Sequence, residues 1–244
     1  MIIRNDFTKE NIDLIDLWRS GQQWGIIHPD NPYAYYSENH IKWEPGVGLR
    51  LLAEKVDPRE VVDPNGETHH PECALGLVSS KFHFKYGKLE VEAILPSGKG
   101  LWPAIWTTAV DSWPPEIDIL EGYSQKNPNY GNCLIPGMRL QTNVHYRKPE
   151  GGRSHIRGRN HWVWKNPSKT SIKYSMIWKE DEISIYYNDK MVRKVTDRVV
   201  LNDFNSSKGQ IIVLNNAIQP NEWDSKSSSF IIRSLLLETE NFIK

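Results

Sequence analysis

The 244-residue sequence predicts an all-β protein, a sandwich or a barrel, on three observations. Residues 88–95, KLEVEAIL, alternate polar side chains with Leu89, Val91, Ala93 and Leu95, the period of a half-buried strand. Residues 171–195 hold two or three strands with turns at Lys179-Glu180-Asp181 and Asn188-Asp189, and the apolar runs 209–214 and 229–238 are further strands. No internal repeat, low-complexity tract or linker-like stretch divides the chain, so residues 1–244 read as one domain, long enough to bury a core without staples.

Taken in order, Ile12, Ile15 and Trp18 have helix-like spacing and predict a short helical turn near the start. Residues 54–75 and 123–161 lack a regular pattern and are rich in Pro, Gly, Asn and His. They predict long loops, and in an all-β scaffold such loops tend to carry the site. The run His69-His70-Pro71-Glu72-Cys73 lacks paired ligand spacing, so no metal is assigned there. Cys73 and Cys133 read as two free or buried thiols, with a disulfide as the alternative in an oxidising compartment.

The formal net charge is zero, so no whole-chain field points to nucleic acid or to an anionic membrane. No apolar run approaches the roughly 18 residues that a membrane span needs. The opening MIIRNDFTKE lacks the basic-then-apolar pattern of a secretory leader. Ten Trp and ten Tyr are many for this length; such rings either fill a sandwich core or line a groove, where they stack on the apolar faces of sugars.

The chemistry concentrates in residues 113–121, WPPEIDILE. Glu116 and Asp118 are two apart and share one face of a strand, while Ile117 and Ile119 point to the other. Glu121 stands at an odd offset of five from Glu116 and on a regular strand would face away. To join the same face it requires a one-residue bulge. Retaining cleavage of a glycoside needs two carboxyl groups about 5–5.5 Å apart, one nucleophile and one acid then base. Neighbouring acids push their pKa values apart, which supplies one neutral and one ionised group. The other reading is an exposed strand decorated with acids. That reading leaves unexplained the cost of three like charges on one face.

EIDILE, together with GLVSSKFHFKYGKLEVEAILPSGKGLWPAIW (76–106), TNVH (142–145), MIWKEDEISIYYNDKMV (176–192) and IIVLNNAI (211–218), resembles glycoside hydrolase family 16. That family includes laminarinases, lichenases, agarases, porphyranases and κ-carrageenases. The resemblance covers residues 76–238, about two-thirds of the chain. It implies a jelly-roll sandwich of two curved antiparallel sheets with a concave substrate cleft. It also implies Glu116 as nucleophile, Glu121 as acid/base and Asp118 as assisting acid. The implied activity is endo-acting, retaining hydrolysis of a β-1,3- or mixed-linkage β-1,3/1,4-glucan. A sulfated or otherwise anionic galactan (porphyran, agar, carrageenan), a β-transglycosylase and a non-catalytic lectin-like module are the alternatives. The expected partner is a polysaccharide, met by a monomer at an extracellular or cell-surface location, with no cofactor required. Some members hold a structural calcium, for which no ligand cluster is legible here.

Trp102, Trp106 and Trp113 precede the acids and are candidates for stacking on sugars, against core packing as the other reading. Trp102 and Trp106, four apart, share a face of a strand. His145 is a candidate cleft contact or a satisfied buried histidine. Residues 145–161 carry Arg147, Lys148, Arg153, Arg157 and Arg159 against Glu150 alone. They read either as a solvated loop or, through Arg153, Arg157 and Arg159, as a site for sulfate or carboxylate groups on a glycan. No nucleic-acid motif accompanies them.

Overall fold

Alternation of apolar and polar residues builds two large sheets that meet across one main core. The computed structural model describes residues 1–23, 25–28, 31–124, 138–158, 161, 165–219, 223 and 226–243. In strand Gly87–Ile94 the side chains of Leu89, Val91 and Ala93 are fully buried, while Lys88, Glu90 and Glu92 stay partly exposed. Each fully buried aliphatic side chain of this kind contributes about 1.5–3 kcal/mol.

The outer sheet runs from Lys190–Val195 through Glu182–Tyr187, Ile172–Lys179, Gly87–Ile94, Ser227–Glu238, Gly48–Lys55, Cys73–Leu75 and Asn31–Tyr36 to Ile27–His28, with Ile2–Asp6 and Ile41–Glu44 paired alongside. The cleft sheet runs Arg153–Arg157, Met138–Arg147, Glu116–Ser124, Leu101–Ala109, Gln210–Ile218, Leu77–Ser80, Trp18–Ser20. This is the expected jelly-roll sandwich and not a closed barrel. Among the described strands the pairing is antiparallel except between Asn31–Tyr36 and Cys73–Leu75, which run parallel. The core joins Leu89, Val91, Leu235 and Leu237 of the outer sheet to Ile105, Ile117, Ile212 and Leu214 of the cleft sheet.

The predicted turn at Asn188-Asp189 closes the hairpin between Glu182–Tyr187 and Lys190–Val195, with both residues left-handed at φ 47° and 63°. The helical turn near the start does not form. The Asp13 carboxylate accepts the amides of Ile15 and Asp16, which holds residues 14–17 in a turn. Ile15 is left 83% exposed, and Trp18 begins a strand with its ring edge-on to Phe82.

Two loop expectations are also corrected. Residues 54–75 contain the short strands Val61–Val62, Thr68–His69 and Cys73–Leu75, and residues 123–161 contain Met138–Arg147 and Arg153–Arg157. Met138–Arg147 escaped the pattern reading because a buried threonine, Thr142, interrupts the apolar series of Leu140 and Val144, while Gln141, Asn143 and His145 lie on the cleft face.

One helix, Arg198–Ser206, was not anticipated. Asp197 caps it by accepting the amides of Val199 and Val200, and Val200, Leu201 and Phe204 are buried, with Phe204 edge-on to Trp178. Cys73 is a buried free thiol, and Cys133 lies outside the described residues.

Candidate active site

The odd offset of Glu121 is resolved by a bulge. Asp118 pairs with Asn143 and Glu121 with Gln141, so Ile119 and Leu120 together face Thr142 alone. On the other side Leu120 pairs with Ile105 and Asp118 with Trp106, which leaves Ile119 without a ladder partner. Ile117, Ile119 and Leu120 are all fully buried in the core. The extra residue returns Glu121 to the face of Glu116 and Asp118. An unbulged strand would have driven this carboxylate among Ile and Leu side chains, at a cost of several kcal/mol.

Each acid has identifiable partners. Trp113 Nε1 donates to Glu116 Oε2 at 3.0 Å, and His145 Nε2 lies 3.6 Å from Glu116 Oε1 and 3.3 Å from Asp118 Oδ2. Trp102 Nε1 donates to Glu121 Oε1 at 3.0 Å, and Asn143 Nδ2 donates to Glu121 Oε2. Asn143 is itself oriented, its Oδ1 accepting from Gln141 Nε2 (3.0 Å) and from the Gly158 amide (3.2 Å). Ala104 stands opposite Glu121, small enough to leave the carboxylate room. Trp106, on the same face as Trp102, donates to Asn215 Oδ1 at 2.7 Å and packs against the Leu77, Ile211 and Val213 cluster. Trp113 is 41% exposed, which makes it the most open of the three rings.

The electrostatics follow from burial. The side chains of Glu116 and Asp118 are only 14% and 6% exposed. Burial first and Asp118 second hold the Glu116 carboxyl well above its ordinary pKa, and Glu121 adds to the rise. His145 and the Trp113 N–H favour its ionised form. Burial, then Glu121, push Asp118 well above the ordinary carboxylate range, against the pull of Arg193. Three carboxyls in this space do not all ionise near neutral pH.

A polar cluster lies under the strand, on the side away from the cleft. Arg193 of the outer sheet donates through Nε to Thr142 Oγ1 and through Nη1 to the Ile156 carbonyl, both at 2.7 Å. His161 Nε2 lies 3.0 Å from the same Thr142 hydroxyl; burial and then Arg193 hold its pKa down to about 4, so the ring is neutral there.

The basic segment is solvated as expected at Arg147, Lys148 and Arg153, but much of it is strand and not loop. Arg153–Arg157 is hydrogen-bonded along Met138–Arg147, with His145 opposite His155 and Arg147 opposite Arg153. The Arg153 guanidinium lies 4.5 Å from the Trp113 ring centroid, and the His155 and His145 rings are 5.6 Å apart. Arg147 donates to the Pro114 carbonyl. The Arg157 backbone pairs with Asn143, its side chain is outside the described set, and Arg159 lies outside the described residues.

Among the described residues two groups could share a cation: Glu116, Asp118 and His145, and Asp63, Glu67 and His69. In the second, Asp63 Oδ1 already takes the amides of Asn65 and Glu67, and Oδ2 meets His69 Nε2 at 3.0 Å. These contacts occupy its oxygens in stabilising the hairpin turn.

Pattern reasoning named the three acids, the three tryptophans, His145 and Arg153. It missed Asn143, Gln141, Asn215 and the inter-sheet cluster. For Asn143 a signal existed: it is two residues from His145 within TNVH, so it shares that face.

The family "Glycosyl hydrolases family 16" matches residues 30–231. Endo-1,3-1,4-beta-glycanase ExsH of Rhizobium meliloti is 31% identical over 176 residues, covering 71% of this chain and 33% of that protein. Beta-glucanase of Rhodothermus marinus is 47% identical over 110 residues, covering 41% of this chain and 35% of that protein. The chain thus spans about a third of the length of these relatives. Among solved structures, LamAcat from Zobellia galactanivorans superposes with a TM-score of 0.74 at 20% identity, over 97% of this chain and 96% of that one, a likeness of fold.

Proposed function

The chain belongs to glycosyl hydrolase family 16, and from that premise we propose a retaining endo-β-glycan hydrolase that acts by double displacement. The observation that carries this reading is the bulge, which sets Glu116, Asp118 and Glu121 on one face. In the proposed first step the Glu116 carboxylate attacks the anomeric carbon while Glu121 gives its proton to the departing glycosidic oxygen. In the second step Glu121 takes a proton from water, which attacks the same carbon and releases Glu116. The Trp113 N–H and His145 favour the ionised nucleophile. Burial and Glu121 raise the Asp118 pKa, which favours its neutral form and limits the charge beside Glu116. Carboxyl groups and water suffice for these steps, and no cofactor takes part.

A neutral β-1,3- or mixed-linkage glucan is the leading substrate, supported by the names of the relatives above. A second reading, an anionic galactan, is favoured by one observation: Arg153 and His155 stand beside Trp113 and His145 at the cleft. A depolymerisation screen over laminarin, lichenan, agarose, porphyran and κ-carrageenan separates the two. Activity on laminarin unchanged by Arg153→Ala supports the glucan. Activity confined to sulfated polymers and lost in that variant supports the galactan. Early product with an α reducing end, read by NMR, would overturn the retaining mechanism.

A further inference from the structure

The bulge that aims Glu121 leaves Ile119 out of register with both neighbouring strands. Ile119 has no ladder partner on Leu101–Ala109 or on Met138–Arg147, yet it is fully buried. Its carbonyl is reached by a donor from outside the sheet. The donor is Tyr187, on strand Glu182–Tyr187 of the opposite sheet. The Tyr187 hydroxyl donates to the Ile119 carbonyl at 3.0 Å, with the Gln141 carbonyl 3.5 Å away, so it sits at the point where the bulged strand and its neighbour diverge. Tyr187 is 2% exposed, and its ring is fixed edge-on by Tyr174 and His161, at 5.0 and 5.5 Å. Burial holds the phenol far above its ordinary pKa, so it stays a donor at any working pH.

The residue across from the bulge is held from the same side. Thr142 faces Ile119 and Leu120, and its hydroxyl accepts from Arg193 of the outer sheet. Both halves of the irregular pairing are therefore tied to the opposite sheet through polar groups.

We infer that Tyr187 is a positioning residue for the reaction: its hydroxyl latches the Ile119 carbonyl and so fixes the bulge that sets Glu121 against Glu116 and Asp118. This inference rests on the proposed roles of those acids. Without the hydroxyl, the buried carbonyl loses this donor and the bulge can slide or open, which moves Glu121 relative to the bond it must protonate. Misplacement of a reacting group by about 1 Å costs on the order of a hundredfold in rate.

Tyr187→Phe keeps the ring and removes only the donor, and Tyr186→Phe, whose hydroxyl meets Ser184 Oγ on the same strand, is the control. With laminarin, or whichever polymer the screen shows the native chain to cut, Tyr187→Phe should lower kcat about 10–100-fold with KM within about twofold. The loss should be smaller on a dinitrophenyl β-glycoside, whose departure needs no proton from Glu121. Tyr186→Phe should behave as native. Equal losses on both substrates, or equal losses in both variants, would overturn the positioning role.

Amide hydrogen exchange supplies a readout without substrate. In the native chain residues 116–124 should be protected to the level of residues 101–109, and Tyr187→Phe should raise exchange about tenfold in 116–124 alone. If the native chain cuts no polymer, the proposed activity fails, and the latch is judged by exchange. A fast-exchanging native bulge, or one indifferent to Tyr187→Phe, overturns it; should the Phe variant not fold, native protection decides.

Discussion

Replacing Glu116 by Gln should abolish activity and raise stability at the same time, but only above acidic pH. In the unfolded chain this side chain titrates near 4.5, and in the folded protein burial and Asp118 hold it well above that. A group with a raised folded pKa contributes stability that is fully present below its unfolded pKa and is lost as pH rises through the folded value. The native protein therefore carries a destabilising term at pH 7.5 that is absent at pH 4, and Gln, neutral throughout, never acquires it. The Glu116 side chain is 14% exposed, and His145 at 3.6 Å and the Trp113 N–H return part of the cost, leaving a net gain on the order of 1–2 kcal/mol. For a chain of this length each kcal/mol moves the midpoint by about 2–4 °C, so the variant should melt about 2–8 °C higher at pH 7.5 and within about 1 °C of native at pH 4. Calorimetry at both values checks the shift, and kcat on a cleaved polymer should fall by at least about 10⁴-fold. A variant that melts lower than native at pH 7.5, or by the same difference at both pH values, would refute the reasoning.

Other expectations test the surroundings of the acids. Asn143→Ala removes the donor to Glu121 Oε2 and leaves the Gln141 side chain and the Gly158 amide without their acceptor; kcat should fall about 10–100-fold in steady-state assays, with little change in fold by circular dichroism. Ile119→Ala and Leu120→Ala should each cost about 2–4 kcal/mol in denaturant titrations, since both neighbours are fully buried. If one of the pair costs less than about 1 kcal/mol, the strand is regular and the bulge is wrong.

Much of the architecture was legible because burial leaves a period in the sequence. KLEVEAIL and the run 172–195 declare their strands through alternation and turn residues, and the structure places them in the outer sheet, whose other face meets solvent. Strand Met138–Arg147 was harder to read because the buried Thr142 breaks its apolar series between Leu140 and Val144. Helix Arg198–Ser206 was missed although Asp197 and the spacing of Val200, Leu201 and Phe204 announced it.

By itself the sequence determined that Glu116 and Asp118 share a face and that Glu121 joins them only through one extra residue, because side-chain direction in a strand is a matter of counting. Which groups hold those acids was decided by tertiary structure alone. Trp102, Asn143, His145, Arg153, Tyr187 and Arg193 arrive from strands far apart in the chain, and their distances depend on sheet order and register. The raised pKa values of Glu116 and Asp118 are likewise tertiary, since desolvation belongs to the assembled site and to no residue alone.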